Sequence, residues 1–157
     1  MALSFSRVVA APVGRVFALV DDPEMQKLWR AGLLDTVATS EHRREAPVGA
    51  TFRQRVRTGT RVVSWRVEIL EWERPRVIAV RVAAGAVRVD VRWRFEAQGD
   101  GRTRVSWSAE PSGGGVARWL AGPVVGLFGG RALGAQVAAL AALAEAEAAG
   151  SPGLAAR

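Results

Sequence analysis

Histidine, cysteine, tyrosine and paired carboxylates carry most side-chain chemistry in proteins, and this chain has few of them. His42 is the only histidine, and cysteine and tyrosine are absent. Imidazole is the side chain whose ordinary pKa lies nearest neutrality, but His42 sits in Ser40-Glu-His-Arg-Arg44, a charged turn that reads as surface. No Ser-His-Asp order is recognisable, and Asp35, Glu41 and Glu68 form no evident pair for general acid–base work. One histidine without cysteine does not make a transition-metal site. Gly113-Gly-Gly115 lacks the Lys-Ser/Thr of a phosphate loop and reads as a flexible lead-in to a helix. No cofactor is expected.

What remains is polar residues in apolar company. Gln54 lies between Phe52 and Val56 on one face of an alternating run, and a buried amide must find a partner. That partner is either a ligand oxygen or a backbone group or water. Arg131 interrupts two apolar segments near the C-terminus. Either it snorkels to solvent, or it reaches a cavity mouth to hold a carboxylate or phenolate.

The elements that would position these residues follow from periodicity. Residues 2–11 alternate as a strand. Pro12 opens a short helix with Val13, Val16, Phe17 and Val20 at helical spacing, and Asp22 caps a second, with Pro23 at its first position, that runs to about Trp29. The period then becomes two. Strands are expected at Leu33–Glu41, Ala50–Thr58, Arg61–Glu71, Val77–Val82, Ala86–Glu96 and Thr103–Ala109. Their turns lie at Gly59, Glu73-Arg74-Pro75-Arg76, Ala84-Gly85 and Gln98-Gly-Asp-Gly101. The cleanest strand sets Val87, Val89, Val91, Trp93 and Phe95 against Arg88, Asp90, Arg92 and Arg94.

Such a sheet has one apolar face, which another element must cover. Residues 115–149 are the only long segment left, with an apolar stripe of Trp119, Leu127, Leu133, Val137, Leu140 and Ala144. Alanine from 132 to 149 favours helix, while Pro123 and the glycines of 121–130 predict a kink or break there. The fold class is therefore α+β: a seven-stranded curved antiparallel sheet wrapped around a long C-terminal helix, with two short helices between strands 1 and 2. One domain spans 1–149, and 150–157 reads as a disordered tail.

This helix-grip order resembles the START-like (SRPBCC) superfamily, and four local segments resemble its polyketide cyclase/dehydrase branch. They are Val9-Ala-Ala-Pro12-Val-Gly-Arg-Val-Phe17, Asp22-Pro23 followed by Trp29, Pro47-Val-Gly49-Ala-Thr-Phe52, and Trp65-Arg-Val67-Glu-Ile-Leu-Glu-Trp72-Glu-Arg-Pro75-Arg76, in the family's order. The resemblance implies a ligand-binding domain, but the superfamily also includes cyclases, lipid carriers and chaperone activators, and fold does not settle function.

A curved sheet that one helix cannot fill leaves an apolar pocket. The expected lining is Phe52, Gln54, Val56, Trp65, Val67, Val80, Val91, Trp93, Phe95 and Trp107 from the strands, with Leu127 and Arg131 from the last segment. Trp65, Trp93 and Trp107 either stack on a flat ligand or fill the core. The first expectation is a module that binds a small hydrophobic ligand, whether aromatic, polyketide-like or lipid. The second is a cyclase or aromatase acting mainly by folding its substrate. The third is a protein-interaction role for the outer arginine face.

Charge bears on partners. The 157-residue chain carries a net charge of +7, almost all from arginine, since Lys27 is the only lysine. Arg53, Arg55, Arg57, Arg66, Arg88, Arg92, Arg94 and Arg104 should share the outer face. A single-strand nucleic-acid platform needs exposed aromatics among such charges, and here the aromatics point inward, so no nucleic-acid partner is expected. No stretch has the length of a membrane span or the unbroken apolar run of a signal peptide. The expectation is a cytoplasmic monomer or homodimer without membrane insertion.

Overall fold

The computed structural model describes residues 3–85, 87–111 and 130–154, leaving aside the side chains of residues 3, 130–133 and 151–154. The described elements are β1 (Leu3–Val9), α1 (Val13–Asp21), α2 (Pro23–Trp29), β2 (Leu33–Ala38), β3 (Thr51–Thr58), β4 (Arg61–Glu73), β5 (Val77–Ala84), β6 (Val87–Ala97), β7 (Thr103–Pro111) and α3 (Gly130–Leu154). The strands form one antiparallel sheet in the order β1-β7-β6-β5-β4-β3-β2. Apart from β1, which returns to pair with β7, each strand lies beside its neighbour in sequence. This is the expected helix-grip arrangement.

Strict alternation sets the two faces. Val89, Val91, Trp93 and Phe95 of β6 and Val105 and Trp107 of β7 are buried. The outer side carries the eight arginines expected there. Arg55 pairs with Asp35 and Arg92 with Glu71, while Arg81 makes a bidentate contact with Asp90. These pairs are substantially exposed, so each adds little to stability.

Two irregularities bend the sheet. Register shifts between Leu33 and Asp35 in β2, and between Ile69 and Glu71 in β4. A bulge adds one residue to one strand and increases its bend and twist. In β4 it also shifts the alternation by one residue: Trp65 and Val67 point inward before it, and Trp72 packs against the core after it. The Trp72 ring meets Phe17 of α1 edge-on at 6.0 Å, and its Nε1–H donates to Asp21 Oδ1 at 2.9 Å.

The first helices form where the caps predict. The Glu24 N–H donates to Asp22 Oδ1 at 2.9 Å, with Pro23 at the start of α2. α1 buries Val16, Phe17, Leu19 and Val20. β2 ends at Ala38, short of the expected Glu41. Thr39 N–H still donates to Thr51 O, but the Thr51 N–H turns to the Ser40 hydroxyl at 2.9 Å, a side chain replacing the ladder.

Gly32 joins α2 to β2 with φ +87°, and a Cβ there would lie 2.5 Å from the backbone oxygen of Arg57. The Arg57 N–H donates to Gly32 O at 2.7 Å, fixing the approach. Gly32→Ala combines a left-handed backbone with a backbone clash and should lose about 2 kcal/mol or more. Urea unfolding measures this, and a loss below about 0.5 kcal/mol, the range of a neutral surface change, contradicts it.

α3 buries Val137, Leu140, Ala141 and Ala144, one face at helical spacing. It lies against α2, α1 and β1. Glu145 Oε2 accepts the Ala10 N–H at 3.2 Å, and Arg15 Nη1 donates to Glu147 Oε2 at 3.1 Å, tying α3 to the β1–α1 corner. The helix continues to Leu154, beyond the predicted tail boundary at 150. The expected kink at 121–130, with Trp119 and Leu127, lies outside the described residues save for Gly130 at the start of α3. Among the described residues no helix is long and apolar enough to cross a membrane.

Candidate functional site

Between the concave face of the sheet and α2 lie two adjoining cavities of about 100 Å³ and 150 Å³, the smaller of them also reached by α3. For comparison, an engineered apolar cavity of about 150 Å³ admits benzene. Both are walled by Val20, Gln26, Gln54, Val67, Ile78 and Val80. The inner one adds Trp29, Arg30, Trp65, Val82, Val91, Trp93, Trp107 and, from α3, Gln136. The outer one adds Thr36, His42, Arg44 and Phe52, and also Asp21 and Asp22.

The sheet contributes its expected inward residues. Gln54, Trp65, Val67, Val80, Val91, Trp93 and Trp107 line the inner cavity and Phe52 the outer. Two expected lining residues line neither. Phe95 is covered by Phe17, with ring centroids 5.3 Å apart, because α1 closes that end of the sheet. Val56 is buried between its register partners Leu33 and Val63, where the edge strand covers it. Leu127 lies outside the described residues, and Arg131 is in the first turn of α3 with its side chain outside them.

The aromatic walls are held in fixed orientations. Trp29 Nε1–H donates to Leu19 O at 2.7 Å, and its ring meets Trp93 edge-on at 5.8 Å. Trp65 Nε1–H donates to Gln54 Oε1 at 3.0 Å. Walls of this kind suit a flat or slender apolar molecule.

Sequence reasoning found Gln54 but missed Gln26 on α2 and Arg30 just after it, which also line the inner cavity. Gln54 is 6% exposed and is the centre of a side-chain network. Its Oε1 accepts from Trp65 Nε1 and, at 3.2 Å, from Arg30 Nη1, while its Nε2 donates to Thr36 Oγ1 at 3.2 Å and Gln26 Oε1 at 3.3 Å. Gln26 Oε1 accepts a second bond from Arg30 Nη1 at 3.0 Å, and its Nε2 donates to Val20 O at 2.7 Å. Both amide oxygens thus face the donors Arg30 and Trp65. A flipped Gln54 would set N–H against N–H.

Arg30 follows the last turn of α2 with φ −90° and ψ 100°. The extended backbone takes it off the helix, and its side chain reaches Gln54 on β3. The residue as a whole is half-buried, but its guanidinium is enclosed enough that burial lowers its pKa to about 10, which leaves it charged at neutral pH. It is the only charged residue among the described residues lining the inner cavity.

His42 is exposed, as its turn predicts, yet it also borders the outer cavity, its ring edge-on to Phe52 at 5.2 Å. Asp22 is occupied with the α2 cap and Arg44 Nη2 at 3.7 Å, and Asp21 with Trp72. Among the described residues no group of three or more histidines and carboxylates is placed to hold a metal.

No curated protein matches this sequence. Solved structures of the same fold do. The ZhuI aromatase/cyclase from Streptomyces sp. R1128 superposes with a TM-score of 0.73 at 19% identity, covering 96% of this chain and 98% of that one. A START superfamily protein from Mycobacterium smegmatis gives 0.71 at 16% identity, covering 92% and 97%. The di-domain aromatase/cyclase StfQ of the steffimycin biosynthetic pathway gives 0.70 at 21% identity, covering 91% of this chain and 45% of that one. At these identities the likeness is one of fold. The sequence profile described as polyketide cyclase/dehydrase and lipid transport, however, matches residues 2–145. That match spans every element from β1 into α3, and the chain belongs to this START-like polyketide cyclase/dehydrase and lipid-transport family.

Proposed function

We propose that the protein binds a small hydrophobic molecule in the paired cavities between the sheet and α2, the inner one bordered also by α3. One observation carries this reading: Trp65, Trp93, Trp107, Val67, Val80 and Val91 converge on space that neither α2 nor α3 fills. Burial of apolar ligand surface there, worth roughly 25 cal/mol per Å², drives affinity, while the amides of Gln26 and Gln54 set orientation. Native mass spectrometry of freshly purified protein should reveal a retained small molecule that is released on denaturation. A protein that emerges empty, and then fails to bind aromatic or lipid probes in solution, removes the proposal.

A second reading has its own support. The outer cavity brings His42 and Asp22 to the same rim, so titratable groups border the space in which a cyclase-like reaction on a folded chain would run. The two readings differ in what comes back. A carrier returns its ligand chemically unchanged after incubation, and a cyclase or dehydrase returns it as a cyclic isomer of the same mass or lighter by water.

A further inference from the structure

Arg30 carries five N–H donors, and the protein uses one nitrogen of its guanidinium. Both of its hydrogen bonds leave from Nη1, to Gln26 Oε1 and Gln54 Oε1. Among the described residues Nε and Nη2 meet no acceptor, and no carboxylate pairs with the guanidinium. The nearby acids are engaged elsewhere, Asp21 with Trp72 and Asp22 with Arg44 and the α2 cap. Nε–H and Nη2–H are parallel donors on one edge of the guanidinium, a fork shaped for the two oxygens of a carboxylate. Elsewhere in this molecule the same edge is filled: Arg81 donates from Nε and Nη2 to the two oxygens of Asp90 at 2.8 and 3.1 Å. Arg30 therefore brings a half-buried positive charge, braced by two neutral amides, to a cavity whose other described walls are uncharged.

We infer that the cavity selects apolar carboxylic acids, with Arg30 receiving the carboxylate through its free Nε–Nη2 edge and the tryptophan walls receiving the hydrocarbon or ring. This rests on the proposed ligand-binding role and adds the chemical class of the ligand. Gln26 and Gln54 act as positioning residues, turning the occupied nitrogen away so that the open edge is presented. A half-buried charge that lacks a counterion favours an anion over a neutral molecule of the same shape.

The test compares 2-naphthoate with 2-naphthamide, which have the same shape and differ in charge, by tryptophan-fluorescence quenching and calorimetry. The wild-type protein should bind the acid at least tenfold more tightly, the scale of one charged hydrogen-bonding contact. Arg30→Met keeps the apolar stem and should make the two affinities equal. Arg30→Lys keeps the charge without the fork and should fall between. Equal affinities in the wild-type protein overturn the inference while leaving the ligand-binding reading intact. If the acid, the amide and 2-methylnaphthalene all fail to bind, the inference falls, and the ligand-binding reading falls with it when the protein also emerges empty and binds no lipid probe. The wild-type comparison decides the matter even if a variant fails to fold.

Discussion

Phe17→Ala should lower stability by about 3–5 kcal/mol, the cost of truncating a fully buried aromatic side chain. Phe17 has no exposed surface. It is the contact through which α1 closes one end of the sheet, edge-on to Phe95 at 5.3 Å and to Trp72 at 6.0 Å. Removing the ring ends both aromatic contacts at once and leaves a void that backbone held by β6 and α1 cannot collapse to fill. The thermal midpoint should fall on the order of 10 °C for a domain of this size, followed by circular dichroism. A loss under about 1 kcal/mol means the site relaxes, contrary to the packing described.

Gln54→Leu keeps the volume and removes the network. Trp65 Nε1–H loses its acceptor, Arg30 Nη1 loses one of two, and Gln26 Oε1 and Thr36 Oγ1 lose a donor. Removing a buried acceptor shared by an indole N–H and a charged guanidinium costs more than the hydrogen bonds themselves contribute, so the expected loss is about 2–4 kcal/mol. Gln54→Glu separates hydrogen bonding from packing, because its carboxylate still accepts from Trp65 and Arg30. It should be the more stable of the two variants in urea unfolding, and it should abolish any preference for acidic ligands by neutralising Arg30 from within. If the leucine variant proves as stable as the wild type, the network is ornamental and Arg30 is not held by it.

The sheet was legible because its signal is repeated. Five apolar residues alternating with charges in β6 leave one way to face, and the turn residues between strands fix where each run stops. Gln54 was legible for the same reason, as a polar residue in an inward register. Its partners were expected to be a ligand oxygen, backbone or water, and instead they are the side chains of Arg30, Trp65, Gln26 and Thr36. Gln26 and Arg30 were not legible, because α2 is only seven residues long. Over so few turns, a polar residue facing the cavity and one facing solvent give the same pattern. What buries them is the docking of α2 over the sheet, a tertiary fact with no local trace. The sequence also pointed to Arg131 as a carboxylate holder, and its side chain lies outside the described residues. Phe95 and Val56 were assigned to the cavity because alternation tells which face a residue takes and not how far along the strand the covering helix reaches.

Leu70 is the extra residue of the β4 bulge, falling between Ile69, opposite Val80, and Glu71, opposite Ala79. Without Leu70 the pairs Ile69–Val80, Glu71–Ala79 and Trp72–Ile78 would form a regular ladder, with the Trp72 indole still on the side of Phe17. What the extra residue supplies is therefore bend and twist rather than facing. Shortening β4 by this one position should spare the seat of the indole and flatten the sheet beside it.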